Sequence, residues 1–106
     1  LPKVRRLTSK DVTEVMRRGR SRRGVYLSLK RLTLPSPLRT SAVVAKSVAK
    51  KAVERNRLRR AVYRALGGIA TPLTTGDVVV FVQKVPKNDI GRVFKDDLIQ
   101  LFTTTH

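Results

Sequence analysis

Residues 50–68 read KKAVERNRLRRAVYRALGG, and this stretch contains the longest helical signal in the chain. Its apolar residues recur at helical spacing, which places them on one face of a helix; they are Leu58, Ala61, Val62, Ala65 and Leu66. The spacing predicts a helix over Lys50–Leu66 that packs this face on a core, and the pair Gly67 and Gly68 is expected to end it.

A shorter helix is predicted near the start of the chain. Thr8 followed three residues later by Asp11 is a capping box, in which each side chain bonds the backbone of the other residue. An apolar face follows at helical spacing, made by Val12, Val15 and Met16. Gly19 is expected to supply the left-handed residue that ends this helix, which the pattern therefore predicts over Ser9–Arg18.

Two runs typical of strands follow the first helix. Val25–Leu32 alternates apolar and polar side chains, which predicts a half-buried strand, and Ser41–Lys46 is a second, β-branched run. Pro35 and Pro37 are expected to break the chain between them. The hinge over residues 34–38 could then join two antiparallel strands.

The last third of the chain predicts one strand and one helix. Asp77–Lys84 holds a continuous apolar run, as expected of a central strand that is covered on both faces. Asn88 or Asp89 can cap a final helix with Ile90, Phe94, Leu98 and Leu101 on one side and Val93 and Phe102 beside them. The order helix, two or three strands, helix, strand, helix predicts a two-layer α+β sandwich with a mostly antiparallel sheet, in a single domain over residues 1–106.

The charge of the chain indicates a polyanionic partner. There are 24 Lys and Arg against 7 Asp and Glu among 106 residues, a net charge of +17, and residues 1–64 carry all of that excess. A protein that repels itself this strongly needs a polyanion, and nucleic acid is the commonest one. The lack of cysteine excludes disulfides, thiol nucleophiles and thiolate zinc sites. No apolar run is long enough to cross a bilayer or to act as a secretory signal, so a cytoplasmic location is expected.

The positive charge is densest at the start of the long helix. Residues 46–60 hold seven positive side chains against Glu54 alone. On a helix, the flank roughly opposite the apolar face carries Arg57, Arg60 and Arg64. A solvated helix face normally interleaves Glu with Lys, so a bound polyanion explains this face better than water does. Arginine suits bidentate phosphate contact, and Asn56 can meet a base edge or a ribose hydroxyl.

The string RNRLRR at residues 55–60 resembles the RNR signature of the bacterial ribonuclease P protein family. Its surroundings agree with that family: Val-Ala-Lys-Ser precedes the string, Arg64 follows it by one turn, and a Gly-x-Val-Val-Val strand comes next at residues 76–80. Near the start, Arg6-Leu7 and a helix that ends in Arg-Arg-Gly at residues 17–19 are also similar to it. The resemblance implies the order αβββαβα, a four-stranded sheet, and a left-handed crossover from the third strand through the signature helix.

By the same resemblance, the chain is the accessory protein of an endoribonuclease that removes the 5′ leader of precursor tRNA. Catalysis belongs to an RNA subunit with bound Mg²⁺, so the implied partners are ribonuclease P RNA and precursor tRNA, with no membrane and no obligate protein partner. The residues independently predict no catalytic or metal-ligating side chain. His106, the single histidine, reads as a frayed terminus, and Asp96 and Asp97 diverge on a helix and read as a surface pair.

The resemblance assigns two groups of binding residues. Contact with the RNA subunit is expected from Arg55, Asn56, Arg57, Arg59, Arg60 and Arg64, together with Lys46, Lys50 and Lys51. The 5′ leader is expected in a cleft between the first helix and the sheet, near Val12, Met16, Arg17, Arg20, Tyr26 and Lys30. Val12 and Met16 stand where the family commonly has aromatic residues, and neither can stack on a base. An equally good interpretation is that these two are core residues and that Tyr26 only caps the sheet edge.

Two other functions are compatible with the composition. A structural RNA-binding protein of the ribosomal type, with no part in a reaction, would have the same charge and the same fold class, although the Arg-Asn-Arg helix favours the ribonuclease P interpretation. A membrane-active basic protein fits less well, because the signature helix has no aromatic anchor on its apolar face.

Overall fold

The computed structural model describes residues 5–69 and 75–103, and within these ranges three helices pack on a five-stranded sheet. In chain order the elements are β1 (Arg5–Arg6), α1 (Ser9–Arg18), β2 (Arg20–Arg23), β3 (Leu27–Pro37), β4 (Arg39–Val43), α2 (Ala52–Ile69), β5 (Thr75–Val82) and α3 (Ile90–Thr103). The α+β class and the positions of the three helices are therefore confirmed. Residues 1–4, 70–74 and 104–106, which include Pro72 and His106, lie outside the described residues.

The sheet is mixed, with the strand order β1-β4-β5-β3-β2. Strand β5 lies in the centre, as predicted, and pairs parallel with β4 and antiparallel with β3. The edge strands are β1, parallel to β4, and β2, antiparallel to β3. The sheet thus has one strand more than the resemblance implies and is less antiparallel than expected. The implied β-α-β unit with parallel strands is β4–α2–β5.

The hinge at residues 34–38 joins two antiparallel strands, as predicted, since β3 runs antiparallel and β4 parallel to β5, but β5 lies between them. The expectation that the prolines break the chain is wrong, because β3 continues through Pro35 to Pro37. Its register with β5 shifts between Leu32 and Pro37, and at such an irregularity a residue without an N–H is tolerated. Val25, predicted as a buried strand residue, is 66% exposed in the turn before β3.

Two glycine predictions also fail. Gly19 follows α1 with an extended φ of −72°, and its N–H donates to the carbonyl of Val15 at 2.7 Å. A Cβ on Gly19 would lie 2.5 Å from that oxygen. Glycine is therefore needed here because the Val15 carbonyl lies so close, and not because the backbone is left-handed. Helix α2 runs through Gly67 and Gly68 to Ile69. The side chain of Ile69 packs on the core, and this packing keeps the two glycines helical although glycine has a low helix propensity.

The hydrophobic core lies between the sheet and the helix pair α2 and α3. The predicted apolar faces are confirmed, because Leu58, Val62 and Leu66 of α2 and Phe94, Leu98 and Leu101 of α3 are all buried. They pack against Leu27 and Leu29 of β3 and Val78, Val80 and Val82 of β5, which share one face of the sheet. Helix α1 crosses the other face, over β3 and β5, and buries Val15 there.

One acidic side chain belongs to this buried layer. Asp97 of α3 is 8% exposed, and its carboxylate accepts hydrogen bonds from the backbone N–H groups of Val25, Tyr26 and Leu27 at 3.1, 3.1 and 2.8 Å. The prediction of a surface pair therefore holds for Asp96, which is exposed, and is wrong for Asp97. Asp97 fixes the turn between β2 and β3 against α3.

Candidate nucleic-acid interface

The loop between β4 and α2 is held in place from both ends. Val44 and Ala49 are buried in the core, and the N–H groups of Val48 and Ala49 donate to the carbonyl of Ala45. Arg55, in the first turns of α2, donates through Nη1 to the carbonyls of Ala49 and Lys50 at 3.0 and 2.6 Å. Arg55, predicted to contact RNA, thus has a guanidinium that fixes this loop. The loop carries the exposed cations Lys46, Lys50 and Lys51.

The outer face of α2 presents the remaining arginines to solvent. Arg57, Arg60 and Arg64 are exposed, while Leu58 and Val62 between them are buried. Within residues 5–69 and 75–103, these three arginines form no hydrogen bond or ion pair. We call Arg57, Arg60 and Arg64 the arginine row. Its guanidinium groups are not neutralised by carboxylates of the described chain.

Two polar residues of the signature bond each other beside the arginine row. Arg59 donates through Nη2 to the side-chain oxygen of Asn56 one turn earlier. That contact occupies the acceptor of Asn56 and leaves its amide N–H groups for another partner. Arg59 is half-buried, so its stem also covers part of the core.

The start of α2 has an electrostatic arrangement that favours an anion. Lys50 and Lys51 lie just before the helix, where the helix dipole is already positive, and Glu54 is the only acidic residue in its first turn. Cations at this end raise the free energy of the folded state. A phosphate group bound there would lower it, because backbone N–H groups, the dipole and the lysines all favour negative charge.

Helix α1 is attached to the other face of the sheet by polar contacts at both ends. Arg39 of β4 lies between two carboxylates: its Nη2 is 2.8 Å from Asp77 of β5, and its Nη1 is 3.2 Å from Asp11 of α1. Towards the other end of α1, Lys30 of β3 donates through Nζ to the carbonyl of Met16 at 2.9 Å. These contacts set the position of α1 above the sheet.

The contacts of Asp11 with Thr8 and Arg39 predict a loss of stability in acid. Hydrogen bonding from the Thr8 hydroxyl, and to a lesser degree the Arg39 charge, lowers the pKa of Asp11 below its ordinary 3.8. A lowered pKa stabilises the fold above the unfolded value, and this stabilisation is lost as the pH falls through the folded value. We expect the wild type to be more stable than Asp11→Asn at pH 7, and the difference to shrink as the pH falls below 3.8 in urea titrations. A difference that does not depend on pH would contradict this assignment.

The predicted leader residues do not all come together. Val12 is half-buried and Met16 is 38% exposed on α1, close to Lys30, whose ammonium group bonds Met16. Arg17 pairs with Glu14 on the surface at 2.7 Å. Arg20 faces Arg31 across β2 and β3, and Arg31 lies over Phe102 of α3, so the register places Arg20 on the other side of the sheet from α1. Tyr26 packs against the core beside α3.

A phenylalanine that the sequence analysis did not single out lies on the α1 side of the sheet. Phe81 alternates with the core residues Val80 and Val82 of β5, so its ring points to the opposite face and is only half-buried. It lines a shallow groove with Ser21, Arg23, Ser28, Lys30 and Gln83. The prediction that β5 is covered on both faces holds for Val79 but not for Phe81. In the sequence, Phe81 could have been recognised as the single aromatic residue of the apolar run at 78–82.

The described residues contain neither a metal-binding cluster nor a membrane span. Over residues 5–69 and 75–103, no three Asp, Glu, His or Cys side chains are grouped so that they could hold a metal ion. No helix in the same ranges is long and apolar enough to cross a membrane.

Comparison with known proteins identifies relatives of this chain. The model of the Ribonuclease P family matches residues 1–106. Two curated proteins, the ribonuclease P protein components of Xylella fastidiosa strains Temecula1 and 9a5c, are each 39% identical to it over 70 residues, which is 66% of this chain and 52% of theirs. The match thus spans about half the length of these relatives.

Two solved structures share the fold. The RNase P protein of Staphylococcus aureus superposes with a TM-score of 0.75 at 18% identity, covering 92% of both chains. The RNase P protein of Thermotoga maritima superposes with a TM-score of 0.73 at 22% identity, covering 92% of this chain and 94% of that one. At these identities the likeness concerns the fold alone.

Proposed function

This chain belongs to the ribonuclease P protein family, and we propose that it is the protein subunit that binds a catalytic RNA and the 5′ leader of precursor tRNA. In this role it assists the Mg²⁺-dependent removal of the leader, which produces the mature 5′ end of the tRNA. The observation that carries the proposal is the arginine row on α2, which is exposed and without carboxylate partners in the described chain.

The contact with the RNA subunit is assigned to α2 and the loop before it. The arginine row presents planar, permanently charged groups that suit bidentate contact with phosphate oxygens. Lys46, Lys50 and Lys51 extend the positive surface to the helix start. Asn56 and Arg59 contribute hydrogen-bond donors at its centre, and Arg55 holds the loop in register.

The leader is assigned to the groove beside Phe81, on the face of the sheet that α1 crosses. Phe81 offers a ring on which a base can stack, and Arg23 and Lys30 supply positive charge beside it. Lys30 also donates to the carbonyl of Met16 on α1, the helix that carries Val12 and Arg17. Arg20 and Tyr26 are not part of this proposal, because they lie on the α3 side of the sheet.

Mg²⁺ is assigned to the RNA subunit and the substrate. The described residues do not form a cluster that could hold this ion. The chain contributes positive charge, which lowers the repulsion between closely packed phosphates and so lets the RNA fill its Mg²⁺ sites at a lower concentration.

Reconstitution tests the proposal directly. The chain is mixed with a bacterial ribonuclease P RNA at low Mg²⁺, and cleavage of a precursor tRNA is followed on a denaturing gel. We expect the chain to raise the cleavage rate at the leader junction manyfold, and we expect the chain without RNA to cut nothing. Polylysine of similar net charge is the control for simple charge neutralisation. Equal stimulation by polylysine, or leader removal by the chain alone, would overturn the proposal.

A further inference from the structure

An arginine of the edge strand β1 lies against the helix that carries the arginine row. Strand β1 pairs parallel with β4, so that Arg5 is beside Arg39 and Arg6 is beside Thr40. Side chains that stand side by side in a sheet point to the same face. Thr40 is in register with the core residue Val78 of β5, which places Arg6 on the α2 side. Arg5 is therefore on the opposite face of β1.

The ring of Tyr63 in α2 holds the guanidinium of Arg6. The guanidinium carbon lies 4.5 Å from the centre of the ring. The ring is fixed in turn, because Tyr63 is half-buried against the core and its hydroxyl oxygen accepts a hydrogen bond from the N–H of Ala42 in β4 at 3.2 Å. The backbone after Arg6 is also held, since the N–H of Leu7 donates to the carbonyl of Thr40 at 2.9 Å.

This contact orients the guanidinium of Arg6 without using its hydrogen-bond donors. An aromatic ring attracts a guanidinium through the face of the ring, and the five N–H donors of the group lie in its own plane. Arg6 is exposed, and its side chain makes no hydrogen bond or ion pair among residues 5–69 and 75–103. An anion could therefore bind these donors without displacing a partner.

Tyr63 brings Arg6 next to the arginine row. Residues three and four apart on a helix are neighbours, with about 5–6 Å between their Cβ atoms, so Tyr63 adjoins both Arg60 of the row and Arg59. Arg59 in turn bonds Asn56 one turn earlier. Since Arg6 lies over Tyr63, the positive surface of α2 continues without a gap onto the edge of the sheet.

We propose that Arg6 binds a phosphate of the RNA segment that lies along α2, and that Tyr63 positions its guanidinium for this contact. The inference rests on the proposed function, and it adds a contact from outside the signature helix. An arginine that is already held in one orientation loses less conformational freedom on binding, and its planar fork suits a phosphate group. The alternative is that the contact only attaches β1 to α2, although a cation–π contact at an exposed site contributes little stability.

Arg6→Gln tests the RNA contact, with Arg5→Gln as the matched control. The control removes the same charge from the neighbouring exposed residue on the opposite face of the strand. Affinity for a ribonuclease P RNA is measured over a range of salt concentrations. Loss of one phosphate contact should lower the salt slope by about 1 and weaken binding roughly fivefold near physiological salt. Arg5→Gln should weaken binding less than about twofold, because salt screens its charge at a distance.

Tyr63→Leu, alone and combined with Arg6→Gln, tests the positioning role. The single variant keeps the charge of Arg6 but removes the ring that orients it. We expect it to weaken RNA binding in the wild-type chain and to have no further effect in the Arg6→Gln chain. Equal effects in both chains would overturn the positioning role. Urea unfolding of the same variants measures the alternative: lower stability of Arg6→Gln with unchanged RNA affinity would show that the contact only attaches β1 to α2.

The α2 variant Arg57→Glu/Arg60→Glu separates failure of this inference from failure of the proposed function. If that variant loses RNA binding while Arg6→Gln binds as well as Arg5→Gln, the inference is rejected and the proposed function stands. If neither the α2 variant nor Arg6→Gln weakens binding, both are rejected.

Discussion

Replacing Asp97 with alanine is expected to destabilise the fold by about 3–5 kcal/mol, because three backbone N–H groups lose their acceptor together. Each buried donor without a partner costs about 1–3 kcal/mol, and water entering the turn recovers only part of that loss. A typical domain has about 5–15 kcal/mol of stability in total, so this change removes a large share. Urea denaturation followed by circular dichroism measures it.

The adjacent Asp96 provides a matched control for that experiment. Asp96 has the same side chain on the same helix and is exposed, so Asp96→Ala is expected to change stability by about 0.5 kcal/mol or less. Gly24→Ala disturbs the same contact from the side of the turn, because a Cβ there would lie 2.6 and 2.7 Å from the two carboxylate oxygens of Asp97. It should destabilise the fold as well. Equal stability of the Asp97 and Asp96 variants would contradict the structural role of Asp97.

Asp97 also illustrates what the sequence could not predict. Its partners Val25, Tyr26 and Leu27 lie about 70 residues away, and no local pattern links a carboxylate on a helix to a distant turn. The same reason explains why the sequence could not show that β3 and β4 are not neighbours in the sheet. Their separation is caused by β5, which enters between them from later in the chain.

The elements that were predicted correctly have strong local signals. The Thr8–Asp11 capping box begins α1 at Ser9, and both reciprocal contacts of the box are present. The apolar spacing of α2 correctly selected its buried face. Strands β1 and β2 consist of arginine and serine alone, so they had no apolar alternation to reveal them. Strand β1 contacts α2 through Arg6, whose guanidinium lies 4.5 Å from the centre of the Tyr63 ring.

In the candidate site, too, some features could be predicted from the sequence and others could not. The exposure of the arginine row follows from helical spacing once the apolar face is known, so residues 57, 60 and 64 could be assigned to one flank from the sequence. The contacts of Arg55 with the loop and the orientation of Phe81 depend on tertiary packing. Arg20 was expected in the leader cleft with Tyr26, Arg17 and Lys30, whereas the pairing of β2 with β3 turns it to the other face of the sheet.

Reversing the charge of the arginine row is expected to abolish RNA binding at physiological salt while the fold persists. Arg57→Glu/Arg60→Glu removes two phosphate contacts and places two carboxylates against the RNA backbone, so affinity should fall by about 100-fold or more. Both side chains are exposed, and glutamate is a good helix former that also reduces repulsion within α2. The thermal midpoint of the free protein should therefore stay the same or rise.

The matched control is Arg92→Glu/Lys95→Glu on α3, which changes the net charge equally. Binding to ribonuclease P RNA by filter retention and precursor tRNA cleavage at low Mg²⁺ are measured for both variants. If catalysis belongs to the RNA, high Mg²⁺ should restore cleavage with the α2 variant, because the metal then neutralises the phosphates that the arginines no longer reach. Equal losses in the two variants would mean that total charge, and not the position of the arginine row, determines binding.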